Sequence, residues 1–439
     1  MDLSLFWSRI SAYFDFCLRD VLGLSRWRIF LLLAPALVFD TTRYYFTNTL
    51  YLFLHTFGLI RNRYKRLRHV DDAAKMPLPL VSIIVPVYNE GKHLTQTLDA
   101  LCENNYPRKE IIIIDDHSSD ETSLICRKYA RAGKIKYLRK ATRSSKPGAL
   151  NYGLAFAKGE IVLHMDGDTI LLRNAISEGV KPFRDPKVGC VSGNLRLAND
   201  TASLATRLQS AEFAMIINVQ RRWLSHTNSL QIASGAFSLY RKAILDELGG
   251  VDPEYGEDLD LTLKVRKRGL KVVFQPSAIA LTDMPETFTG IFKQRMRWDR
   301  CYIRINLRKH GNLWNFRVFP ASDALTYALD FLFNVLLLAV FPVYIILVAV
   351  FVPHLLPFLF AVTYLFYTLM LAWQCLIGIL LSDRKWHDSH FILYSPLLFF
   401  YFFYLRFCRA TAYLLETFRS KKMQSEFFPH PVRACIPKY

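Results

Sequence analysis

Three long apolar runs close the chain, roughly Ala324 to Val352, Phe358 to Leu381 and Phe391 to Leu415. A helix needs about 20 apolar residues to cross the hydrocarbon of a bilayer, and inside it the backbone polar groups must be satisfied within the segment. These runs read as membrane helices. Pro353-His354-Leu355-Leu356-Pro357 reads as a short turn that makes the first two antiparallel. If the preceding region is cytosolic, two spans return the chain to the cytosol at Asp383-Arg384-Lys385. A third would export Lys421-Lys422 against the tendency of basic flanks to stay inside. The third run, broken by Ser395-Pro396 and carrying Arg406 and Arg409, is therefore expected to bend back or lie partly in the interface.

The N-terminal part is apolar too, but differently built. Leu3 to Leu22 mixes aromatics with Arg9, Asp15, Arg19 and Asp20, which suits an amphipathic helix at the membrane surface or a core-facing helix. Ile29 to Ile60 is interrupted by Pro35, Asp40 and Arg43, so it reads as one tilted span or two short ones. No cleavable leader pattern precedes it, and the stretch is expected to stay as an anchor. The net charge of +19 is concentrated beside apolar segments, as in Arg61 to Arg68 and Arg419 to Lys422. That placement marks a cytoplasmic membrane flank and a field that attracts anionic substrates, with no nucleic-acid partner required. The eight cysteines form no Cys-x-x-Cys pair and no zinc pattern, and read as reduced thiols of a cytosol-facing protein.

Between these ends, short β-branched or apolar runs at Val81 to Val87, Ile111 to Asp115, Ile135 to Leu138, Ile161 to Met165 and Val188 to Ser192 alternate with helix-length segments. This alternation predicts an α/β fold with a largely parallel sheet, whose ligand site gathers at the carboxyl ends of the strands.

Candidate chemistry falls at those ends. Val85 to Glu90 closes the first strand with Tyr88 and Glu90, and Asp115-Asp116-His117-Ser118-Ser119 follows the second. A carboxylate there can accept hydrogen bonds from a uracil or ribose, and Ser118 or Ser119 equally suits a helix cap. Lys146 leads into a helix and suits a pyrophosphate or a solvated turn. Met165-Asp166-Gly167-Asp168 ends an apolar strand. Two carboxylates one residue apart can hold a hard divalent cation that neutralises a diphosphate leaving group, and a short acidic turn is the alternative. Gly256-Glu257-Asp258 precedes a helix expected to start near Leu259. A carboxylate there suits the base that deprotonates an acceptor hydroxyl, or a helix cap; Asp258 is the better candidate, with Glu257 orienting it or touching the acceptor. In Lys293-Gln294-Arg295-Met296-Arg297-Trp298, helical spacing puts Gln294, Arg297 and Trp298 on one face. Arginine clamps pyrophosphate and an indole stacks on a sugar, while a basic interfacial helix anchored by tryptophan would need the same residues.

Taken in order, these motifs resemble the processive members of glycosyltransferase family 2: poly-N-acetylglucosamine, hyaluronan, chitin-oligosaccharide and cellulose synthases. The resemblance implies a GT-A nucleotide-sugar-binding domain with N- and C-terminal transmembrane and interfacial helices, magnesium or manganese as the metal, and UDP as the leaving group. Tyr88, Glu90, Asp115, Asp116, Lys146, Asp166 and Arg297 would then contact the nucleotide sugar, and Asp166 and Asp168 the metal. Asp258 would be the base with Glu257 beside it, and Gln294 and Trp298 would line the acceptor end. The implied layout is an anchor over 1–68, a cytosolic catalytic domain over 78–284, interfacial helices over 285–320, membrane helices over 321–418 and a basic tail over 419–439.

The implied activity is inverting, processive polymerisation of a β-linked polysaccharide in the cell membrane, with translocation of the product. The bilayer and a growing glycan would be its partners, an accessory export or regulatory subunit a further one. His117 stands where the family often has glycine. Thr282 to Thr287 is similar to the poly-N-acetylglucosamine synthases, whereas Trp298 to Arg304 and Ser234 to Arg241 are closer to the hyaluronan and chitin-oligosaccharide enzymes. UDP-N-acetylglucosamine is the expected donor, with glucose open. Transfer of one sugar to a lipid carrier is the alternative activity, and a nucleotide-binding scaffold without turnover is another.

Overall fold

The computed structural model describes residues 3–37, 40–58, 78–254 and 256–427. The Arg61 to Arg68 run lies outside the described residues, as do the side chains of Lys421 and Lys422. Helices α1 (Leu3–Gly23), α2 (Arg26–Leu37) and α3 (Asp40–Thr56) come first.

An eight-stranded sheet with the order β3-β2-β1-β4-β7-β6-β8-β5 forms the core. Its strands are β1 (Val81–Val87), β2 (Lys109–Asp115), β3 (Lys136–Arg139), β4 (Ile161–Met165), β5 (Ile170–Leu171), β6 (Val188–Leu197), β7 (Phe237–Arg241) and β8 (Lys271–Thr282). Strands β1, β2 and β4 are apolar on both faces because helices cover both, which is why they read as unbroken runs. The covering helices include α4 (Gly91–Glu103), α5 (Thr122–Arg131) and α6 (Ser145–Leu154).

The expectation of a largely parallel sheet needs correction. Strands β3, β2, β1 and β4 are mutually parallel, but β7 lies antiparallel between β4 and β6, and β5 runs antiparallel to β8. Only β6 and β8 restore a parallel pair beyond that point. The sheet is mixed, and β7 brings the turn that precedes it back toward the end of β4.

Helices α7 (Leu204–Phe213, between β6 and β7), α8 (Glu257–Lys267, between β7 and β8) and α9 (Phe288–Tyr302, after β8) link the core to the apolar helices. Those are α10 (Ala321–Phe331), continuing through a wide turn into α11 (Leu337–Phe351), then α12 (Leu356–Leu380) and α13 (Ser395–Phe427). Three helical stretches among the described residues are long and apolar enough to cross a membrane: Ala321–Phe351, Pro353–Leu380 and Lys385–Phe418.

Helix α13 runs on without a break at Ser395-Pro396, so of the two expectations for the third run the bend is corrected. Proline occupies the first turn of α13, where its missing N–H costs no hydrogen bond. Arg409 and Glu416 of α13 face α9 and the helical turn that follows it. Arg409 bonds Asp299 at 3.1 Å, and Glu416 accepts from Arg300 at 2.8 Å and Arg304 at 3.0 Å. Tyr413 stacks on Tyr302. Charges inside apolar helices are tolerated when such partners satisfy them. A second tie joins α8 to α10, where buried Arg266 bonds buried Asp323 at 2.7 Å.

Candidate active site

The loops after β1 and β2 are stitched together. The Asn89 backbone N–H donates to Ser118 Oγ at 3.1 Å, the Ser119 N–H to Asn89 Oδ1 at 2.9 Å, and the Glu90 N–H to Thr122 Oγ1 at 2.8 Å. Asp115 is fully buried. It accepts from the Ser118 N–H at 2.7 Å, the Ser123 hydroxyl at 2.5 Å and the Tyr137 hydroxyl at 2.7 Å. Burial alone would raise its pKa, but these donors outweigh it and hold the group below the usual carboxylate range. Asp116 accepts from the backbone N–H groups of Ser144 and Ser145 and from the Ser144 hydroxyl, each at 2.8 Å. Both aspartates therefore shape the loops beside the cleft, and each carboxylate keeps acceptor capacity for one further donor. Tyr88 stands at the rim with the Arg143 guanidinium 3.9 Å over its ring.

His117 has φ 71°, in the left-handed region. That conformation explains why glycine suits this position, since a Cβ there costs about 1–2 kcal/mol. His117→Gly is expected to raise stability by up to about 1 kcal/mol after the added chain entropy of glycine is subtracted, seen as a higher thermal midpoint.

Asp116 sets the start of α6, and so the place of Lys146. The Lys146 ammonium lies 2.6 Å from Asp166 Oδ1 and 3.1 Å from Glu257 Oε1. Burial works against that ammonium, but Asp166 and Glu257 more than offset it and raise its pKa above the usual value. Three predicted groups from three separate segments thus meet. Beside them, burial and then the charge of Asp166 push Asp168 up to about 6. Burial and then the charges of Asp168, Asp166 and Asp120 push Glu90 up to about 7. Crowded carboxylates of this kind suit a hard divalent cation, which takes oxygen ligands and relieves their repulsion; Asp166 and Asp168 fit the group.

A second acidic cluster, Asp252, Glu254 and Asp260, has carboxylate oxygens within 4.8 Å of one another. Lysines already occupy it. Lys309 reaches Asp252 at 2.7 Å, Asp260 at 2.9 Å and Glu254, and Lys264 reaches Asp252 at 2.7 Å. These ammonium groups supply the positive charge a metal would bring there, so the cluster works as an internal brace.

Helix α8 starts at Glu257, two residues earlier than expected, with Gly256 as its cap at φ 73°. Asp258 therefore sits in the first turn. It accepts from the Gly235 N–H at 3.1 Å and from the Leu259 N–H at 2.8 Å. Burial and then the charge of Glu257 push it up to about 6, against the pull of Lys146. Gly235 was not singled out by its spacing, because it contributes only a backbone N–H from the turn before β7. It is also pressed from both sides: a Cβ there would lie 3.0 Å from Lys146 Nζ and 3.4 Å from Asp258 Oδ2.

Gln294, Arg297 and Trp298 are carried on α9 at helical spacing. Gln294 Oε1 is buried with no hydrogen-bond partner among the described residues, and Arg297 and Trp298 are exposed. Arg295, between them, bonds buried Glu212 at 2.7 Å and lies 4.8 Å over the Trp298 ring. Glu212 also accepts from the Tyr401 hydroxyl at 2.6 Å, so it ties α7, α9 and α13 together.

The contact that sets α9 against α8 is Gly256 on Cys301. A Cβ on Gly256 would lie 2.9 Å from the Cys301 Cβ. Gly256→Ala adds that collision to left-handed strain, and it displaces Asp258 relative to Trp298. Misplacement by about 1 Å can cost about 100-fold in rate; kcat is expected to fall by that order with nucleotide binding retained, as steady-state kinetics and UDP titration would read.

Residues 78–300 match the family model described as glycosyltransferase like family 2. The poly-beta-1,6-N-acetyl-D-glucosamine synthase of Staphylococcus epidermidis is 33% identical over 220 residues, covering 50% of this chain and 53% of that protein. The synthase of the same name from Staphylococcus aureus strain COL is 30% identical over 242 residues, 55% of this chain and 58% of that one. The chain thus spans about half the length of the curated relatives it matches. Among solved structures, the mannosyltransferase PcManGT from Pyrobaculum calidifontis, in complex with GDP-Man and Mn2+, aligns with TM-score 0.56 at 21% identity. The alignment covers 79% of this chain and 99% of that one, a likeness of fold.

Proposed function

The chain belongs to glycosyltransferase family 2, and from that premise we propose that it is a membrane-embedded, inverting, processive transferase. It polymerises a β-linked polysaccharide from UDP-N-acetylglucosamine, with the catalytic domain cytosolic and the product leaving between the membrane helices. The observation that carries this reading is the meeting of Lys146 with Asp166 and Glu257 beside Asp258, the last two on α8, the helix tied to α10 by Arg266 and Asp323.

In the proposed reaction Asp258 takes the proton of the acceptor hydroxyl as its oxygen bonds the anomeric carbon. The bond from that carbon to the diphosphate oxygen breaks with inversion, and UDP leaves. Lys146 and Arg297 hold the diphosphate, Gln294 and Trp298 position the acceptor sugar, and Glu90, Tyr88, Asp115 and Asp116 form the nucleoside side of the cleft. A magnesium or manganese ion held by Asp166 and Asp168 would supply neutralisation of the leaving group. The raised pKa of Asp258 supports its role, because a base is most effective when its pKa lies near the working pH.

The test is purified protein in reconstituted membranes, given single UDP-sugars, with released UDP and product length both measured. Long polymer from UDP-N-acetylglucosamine alone is expected. Addition of one sugar to a lipid would overturn processivity, and no UDP release from any donor would overturn the enzymatic reading.

A further inference from the structure

Helix α1 lies across the tip of the hairpin formed by α11 and α12, at the end away from the sheet. Residues from successive turns of one α1 face surround a single tip residue. The Tyr13 hydroxyl and the Cys17 thiol both donate to the His354 carbonyl oxygen, and Asp20 lies 2.8 Å from the His354 ring nitrogen. Cys17 and Val21 are buried there with Leu355 and Phe358. Tyr13, Cys17 and Asp20 span about two turns of α1 and all meet His354, so α1 is seated on the hairpin tip.

The other end of α12 is at the core. A Cβ on Gly378 would touch Ala214 at 3.4 Å, and the following loop is held by Arg196 on Asp383 and by Arg384 on Asp200 at 3.5 Å. With 25 residues, α12 is about 37 Å long, which exceeds the ~30 Å hydrocarbon thickness of a bilayer.

The rest of α1 is sorted by face. Ser4, Ser8, Ser11, Asp15 and Arg19 recur at steps of three and four residues and form one exposed polar stripe opposite the hairpin face. Exposed Leu5 and Phe16 border it on one side, with Arg9 at that flank's outer edge where its long side chain can reach water, and Trp7 and Leu18 border it on the other, while Leu22 ends the stripe. A helix seated on a membrane hairpin, polar above and apolar along both flanks, matches a leaflet surface, with its flanks among lipids and its stripe in water.

The geometry points to α1 as an interfacial helix bound to the bilayer leaflet opposite the catalytic domain, where it covers the tip of the α11–α12 hairpin. The inference needs only that this hairpin crosses the membrane, and it stands whatever sugar the core transfers.

The test uses full-length protein with Ser11→Cys, Asp15→Cys or Lys128→Cys, the last on the core surface, each compared with the unsubstituted chain. In sealed vesicles where a membrane-impermeant maleimide labels Lys128→Cys directly, Ser11→Cys and Asp15→Cys are expected to be labelled only after detergent. Labelling of all three without detergent would overturn the opposite-face placement. In lipid nanodiscs, a fluorophore on Leu5→Cys is expected to be quenched by nitroxide-bearing lipids and one on Ser11→Cys by iodide. Quenching of both by iodide, with no lipid quenching at Leu5→Cys, would overturn the lipid contact.

Discussion

Asp258→Asn is expected to slow sugar transfer by about 10²–10⁴-fold, the range that a general base contributes. The KM for the nucleotide sugar should change little, because Asp258 faces the acceptor hydroxyl in the proposed reaction. The asparagine oxygen can keep one of the two backbone bonds, from Gly235 or Leu259, so UDP binding should survive and serves as the control for folding. A variant that binds UDP and polymerises at the normal rate would remove Asp258 from the role of base. The wild-type pH profile follows from the same group. Asp258 works only as the carboxylate, and its pKa is pushed up to about 6. The rate should therefore fall as pH drops through about 6, and Asp258→Asn should make that limb shallower, since Asp168, also pushed up to about 6, still contributes to it.

Lys146→Met should act through binding and through the base together. Hydrogen bonds to charged groups contribute about 1.5–3 kcal/mol, so KM for the UDP-sugar should rise by about 10- to 150-fold. Lys146 also holds the Asp258 pKa down. Without it the pKa rises further, and the acid limb of the pH profile moves to higher pH. Lys146→Arg keeps the charge and should restore most of that limb while recovering only part of KM. Equal loss in both variants, with the pH limb unmoved, would show that the ammonium acts only by filling space.

Strands β1, β2 and β4 were legible because burial on both faces leaves mostly apolar side chains between the strand-end turns, with buried Ser82 and His164 the polar interruptions in β1 and β4. Strand β7 was not. Phe237 to Arg241 is five residues long, and its antiparallel direction depends on β4 and β6, which lie far away along the chain. Strand β8 is harder still, since Gln275-Pro276-Ser277 interrupts its apolar pattern where its register against β6 slips. In α9, the spacing of Gln294, Arg297 and Trp298 could be read directly, because helical periodicity is local. Glu212, which fixes Arg295 from 83 residues away, carries no local signal. Nor does Gly235, whose contribution is a backbone N–H that any residue type except proline would supply.

The order of acidic and basic motifs, the helical spacing after Lys293 and the three apolar runs are properties of neighbours along the chain. Side-chain chemistry and periodicity were enough to pick out the candidate residues and runs long and apolar enough to cross a bilayer, and the order of the motifs carried the family resemblance. The meeting of Lys146 with Asp166 and Glu257, the Gly235 bond to Asp258, and the seat of α1 on His354 depend on distances between remote segments. Only the tertiary structure could decide these, because which segments meet is settled by packing of the whole chain.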